Sequence, residues 1–106
     1  MNKKIKLSEY VGLTKVLAGR DNGEILRNKL KIEEIEKSEE NIMIIIPESV
    51  KAFNSSYFLG AFGRSVRKLG RIKFNEKYIF QCTEVIKENI EDGINEAIHN
   101  DDIFEE

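Results

Sequence analysis

Residues 53–63, FNSSYFLGAFG, place two serines between an asparagine and an apolar run that carries glycines at its middle and end. Asn54, Ser55 and Ser56 are residue types that open helices, because a short side-chain oxygen can accept a bond from an otherwise unpaired N–H of the first turn. The same hydroxyls can take a phosphate. Lying at a helix start, such a group would meet unpaired N–H groups and the positive end of the helix dipole, and its ~2 negative charges would repel an acidic partner or break an apolar contact. Tyr57, next in the chain, is expected to offer apolar contact to a partner. The chemistry implied is capping alone, or capping combined with a partner-binding switch.

A second constellation follows directly. Arg64, Arg67, Lys68 and Arg71 fall at i, i+3, i+4 and i+7, a basic stripe if one helix carries them all, with Lys73 just beyond. Such a stripe is either a solvated face that complements the helix C-terminus or a dock for an acidic surface or phosphate backbone. It lacks the interleaved aromatics of a single-strand binder. Gly60 and Gly63 do not make a nucleotide loop, since no Lys-Ser/Thr pair follows and both lie inside a helical stripe. They read as places where the helix packs closely on the sheet.

Other chemistries have little to work with. Cys82 is the only cysteine and His99 the only histidine, which excludes an internal disulfide and an ordinary zinc site built from these two residue types. Cys82 reads as buried filler, and His99 as a cation at a helix C-terminus. Glu33, Glu34, Glu39 and Glu40 read as solvated surface, and no Ser-His-Asp set assembles around His99. The expectation is a protein that is not an enzyme and uses no cofactor or metal.

The chain of 106 residues is 41% hydrophobic and 34% charged, which suits one soluble domain with a real core. Its 17 Lys and Arg nearly balance 19 Asp and Glu, so no overall field draws it onto nucleic acid or an anionic membrane. No apolar h-region follows Met1, and the longest apolar run, 42–46, is too short to cross a bilayer. A cytoplasmic protein is expected.

Elements that would position these residues follow from periodicity. Alternation over 3–10 predicts a strand, and 11–23 a loop or irregular second strand. Asp21 or Asn22 would cap a helix whose face is Ile25, Leu26 and Leu30. Residues 31–40 read as a fraying turn and surface connection. The run 42–46, ended by the only proline, predicts a central strand buried on both faces. From Ser55, Phe58, Leu59, Phe62, Val66 and Leu69 mark an amphipathic helix ending near Gly70. A strand near 77–82 follows. Thr83 then caps a last helix of Ile86, Ile90, Ile94, Ala97 and Ile98, in which Gly93 implies a close neighbour. The sum is a single α/β domain over 1–100, a sheet of about four strands with helices mainly on one face, and a loose acidic tail at 101–106.

A strand NIMIIIPESV, the loop KAF, NSSYFLGAFG and an amphipathic helix together resemble the STAS domains of sulphate-transporter C-termini and bacterial anti-sigma factor antagonists, most of all a bacterial STAS-like branch. The likeness extends over about 20–98, and its specific part is the central motif. It implies a regulatory protein-binding module in which Ser56, with Ser55 beside it, occupies the position where a partner kinase places phosphate in the antagonists. The implied partner is a histidine-kinase-like ATPase. Asn54 stands where the antagonists carry aspartate, and Tyr57 where they carry glycine. Two alternatives stay open: an anion- or nucleic-acid-binding protein using Arg64, Arg67, Lys68 and Arg71, and a small non-enzymatic interaction or inhibitor protein.

Overall fold

The computed structural model describes residues 2–99, with the side chain of Asn2 excepted; the acidic tail expected at 101–106 lies outside the described residues. The fold is α/β. Its first strand, β1 (Asn2–Lys6), is shorter than the alternation suggested, because the chain turns at Leu7 into a single helical turn, α1 (Ser8–Val11). Gly12 closes that turn at φ 73°, its N–H donating to the Ser8 carbonyl.

Two parallel sheets replace the expected single four-stranded one: β1–β3–β5, and a separate pair β2–β4, with β2 at Val16–Leu17, β3 at Asn41–Ile45, β4 at Ala52–Phe53 and β5 at Tyr78–Gln81. The reason lies at the outer edge of β4. There the Phe53 N–H donates to Asn89 Oδ1 at 2.9 Å, so a helix side chain takes the bond that another strand would need.

Strand β3 is central, as its composition demands, but only one of its faces is sealed. Ile42 and Ile44 are buried beside Ile5 and Tyr78, whereas Met43 and Ile45 are half-buried. Register aligns these last two with Lys4 and Lys6 on one side and Ile79 and Gln81 on the other, all four exposed. The helices cover the other face.

Helix α2 (Arg20–Leu30) begins one residue before the predicted cap, with Gly19 at the N-cap position. Asn22, inside the first turn, instead donates through Nδ2 to the Ala18 carbonyl at 3.0 Å. Its buried face is Gly23, Leu26, Arg27 and Leu30, at i, i+3, i+4 and i+7; Ile25 is 50% exposed and does not belong to it. Lys31, left-handed at φ 55°, turns the chain into α3 (Ile32–Ile35), and fully buried Ile32 docks a segment expected to lie on the surface.

The long helical run starts as α4 (Ser55–Phe58), widens into a π-helical turn (Leu59–Gly63) and continues as α5 (Arg64–Lys77). Gly70, at φ 83° and ψ 163°, breaks α5, so the predicted helix does end there and a second segment runs on to Lys77. Phe58, Phe62, Phe74 and Tyr78 stack into the centre of the core, with Phe74 and Tyr78 ring centroids 4.8 Å apart. Each fully buried ring stabilises the fold by ~2 kcal/mol. Thr83 caps α6 (Glu84–His99), its Oγ1 accepting from the Ile86 N–H at 3.4 Å, and Ile86, Ile90, Ile94 and Ala97 line the buried side. The neighbour that requires Gly93 is Phe58, whose ring would lie 2.5 Å from an added Cβ.

Candidate functional site

At the start of α4 the backbone of Asn54 is extended (φ −70°, ψ 153°) and its carbonyl accepts the first helical bond, from the Phe58 N–H at 3.0 Å. Its side chain makes no capping bond. Ser55 is half-buried and Ser56 exposed; Ser56 Oγ accepts a long bond, 3.3 Å, from the Gly19 N–H. Both hydroxyls thus sit where the sequence placed them, at the tip of the helical run.

The two serines differ in their surroundings. Ser55 lines a shallow depression of about 340 Å³ with Asp92, Asn95, Glu96 and His99 of α6, so an anion on Ser55 would face two carboxylates. Ser56 is not part of that wall. Tyr57 departs from expectation: it is 4% exposed, packs edge-on against Phe53 at 5.4 Å, and burial pushes its pKa up. Its ring belongs to the inside of the domain and is not offered to a partner as an apolar contact.

The basic stripe is also interrupted. Arg64 and Lys68 are exposed and Arg67 is half-buried, but Arg71 lies beyond the break at Gly70 and turns to α6, pairing with Glu91 at 3.4 Å and donating to Asn95 Oδ1. A helix interrupted there cannot carry all four cations along one line.

A polar cluster that the sequence did not announce lies beneath the long helix. Gly23 and Gly60 let α2 cross the π-helical turn with backbones in contact: an added Cβ would lie 2.1 Å from the Tyr57 carbonyl oxygen or 2.2 Å from that of Arg20. Gly60 therefore packs on a helix, not on the sheet, and a Cβ at Gly63 would meet only ordinary contacts. One turn further along α2, buried Arg27 donates through Nη1 to the Ala61 carbonyl at 2.9 Å and to Ser65 Oγ at 3.0 Å. Its Nη2 reaches Glu33 at 3.3 Å. The widened turn puts a carbonyl out of step with its own helix, and Arg27 supplies a donor. Nearby, Tyr78 donates to Glu36 Oε2 at 2.5 Å; burial, then Glu36, push its pKa far up, so the phenol stays protonated. The signal that could have found this cluster is a charge inside an apolar i, i+3, i+4, i+7 stripe.

Cys82 is half-buried against the core, and burial raises its pKa, so it offers little thiolate. His99 is exposed in the last turn of α6. Glu34 and Glu39 are exposed and Glu40 half-buried, and Glu33 is engaged by Arg27. Among the described residues no three His, Cys, Asp or Glu side chains gather as a metal cluster, and no helix is long and apolar enough to cross a membrane. No protein-family model, curated protein or solved structure matches the chain.

Proposed function

We propose that the chain is a cytoplasmic, non-enzymatic regulatory module of the STAS-like kind, which presents Ser56 at the tip of its long helical run to a protein partner. The partner that the resemblance implies is a histidine-kinase-like ATPase, with phosphate on Ser56 acting as the off signal. The observation that carries this reading is the exposure of Ser56, whose hydroxyl is held among the described residues by the long bond from the Gly19 N–H alone. A phosphoryl group on Ser56 Oγ would have that N–H and the first turn's unpaired N–H groups as donors. Asp92 and Glu96 beside Ser55 favour Ser56 as the acceptor. Asn54, exposed and without a capping bond, is available to the partner.

The test uses the full chain as wild type, Ser56→Ala and Ser56→Asp, exposed to extract of the native cells with and without ATP. Mass spectrometry then reads the bound protein and any phosphate on residues 55 and 56. The expected result is an ATPase retained by wild type and Ser56→Ala, released by Ser56→Asp, and phosphate on Ser56 of wild type. A partner indifferent to Ser56→Asp but lost on substitution of a distant surface would overturn the proposal.

A further inference from the structure

A half-open cleft of about 260 Å³ lies between α1, β2 and α2. Val11, Leu17 and Leu26 give it apolar walls, and exposed Tyr10, Val16 and Ile25 stand at its rim. Among the described residues Lys29 is the one charged side chain lining it, with Nζ only 3.5 Å from the Tyr10 carbonyl, at the limit of a hydrogen bond. Tyr57 lies on the cleft wall, buried to within 4% of full enclosure. Its aromatic contact with Phe53 is satisfied, but its hydroxyl has no hydrogen-bond partner among the described residues. That hydroxyl is not sealed from solvent, so on the cleft wall it stands as a donor that a bound ligand can take.

We infer that this cleft binds a small organic acid, a carboxylate on a compact apolar body, with Tyr57 Oη–H and Lys29 Nζ as the donors that hold the carboxylate. The volume equals that of roughly nine waters and lies below the range of drug-sized sites, which limits the apolar part to about a single ring or a short alkyl chain. Lys29 selects for negative charge, since an amine would be repelled and a neutral ligand would gain no charge-assisted bond. Because burial raises the Tyr57 pKa, its hydroxyl remains a donor throughout the neutral range. The site is independent of any role for Ser56.

The test is an amide-resolved NMR titration of the full chain with phenylacetate, hexanoate and benzoate, with 2-phenylethanol and phenethylamine as the neutral and cationic counterparts. Tyr57→Phe removes a hydroxyl that has no protein partner, and Lys29 is exposed, so Tyr57→Phe and Lys29→Gln both keep the fold. Saturable shifts at Tyr10, Val16, Ile25 and Lys29 are expected with at least one acid, weakened about fivefold in each variant, as for loss of one hydrogen bond. The alcohol and amine are expected to bind more weakly than the acid. Absence of saturable shifts with all three acids, equal binding of the alcohol, or unchanged affinity in both variants would overturn the assignment. So would binding of an acidic peptide where the free acids fail, because the cleft would then be a seat for a protein segment.

Discussion

Ser56 and Ser65 lie on the same helical run, and their hydroxyls live in opposite worlds. Ser56 is exposed and accepts one long bond from a backbone N–H; Ser65 is fully enclosed and accepts from a guanidinium that is itself buried. Between them lies the π-helical turn, where α2 presses onto the helix through Gly23 and Gly60. The difference teaches that a hydroxyl's role is set by what crosses its stretch of helix. The α2 backbone touches the run next to Ser56, at the Tyr57 carbonyl, and leaves that hydroxyl outside; over Ser65 the buried Arg27 side chain reaches across and makes the serine structure.

The largest effect should come from the crossing that separates the two regions. Gly60→Ala places a Cβ against the Arg20 carbonyl, where neither backbone can yield, and should cost on the order of 3 kcal/mol or more by urea unfolding. A tolerated alanine there would break the comparison outright. Arg27→Met keeps most of the side-chain volume while stripping the Ala61 carbonyl and Ser65 Oγ of their donor, with an expected loss of about 2 kcal/mol in the same measurement. The smallest and sharpest test is the pair of serines. Ser65→Ala should cost about 1 kcal/mol and Ser56→Ala less than about 0.5 kcal/mol, and equal values would remove the distinction.

Much of the architecture was legible because it rests on composition. The isoleucine run specified the central strand, the Ile86–Ile90–Ile94–Ala97 line specified α6 and its cap at Thr83, and Gly70 ended its helix. What escaped depends on partners distant in sequence. Asn89 caps the edge of β4 and so splits the sheet in two, which no local pattern around Ala52 and Phe53 reveals. Arg27 escaped because a charge is not ordinarily sought in a core, although its spacing from Gly23 and Leu30 placed it inside. At the candidate site, the helix start at Ser55 followed from residue type, but the side-chain capping bond expected there is not made. The burial of Tyr57 and the diversion of Arg71 to Glu91 did not follow from residue type, since both are decided by elements that close over them.

Both sheets are wholly parallel, and this shapes how the chain reaches its native state. Asn2 pairs with Asn41, Val16 with Ala52 and Ile42 with Tyr78, so every ladder must wait for a loop of more than thirty residues to close. No hairpin exists among the described strands to nucleate early registration. The meeting of α2 with the glycine-bearing turn, Gly23 against Tyr57 and Ala61, closes a loop of similar length, so little beyond the helices themselves can form locally, and folding is expected to be slow for a chain of this size. Until β5 arrives, one edge of the isoleucine strand stands unpaired, and crowded refolding at that stage favours chains pairing with one another over chains pairing with themselves.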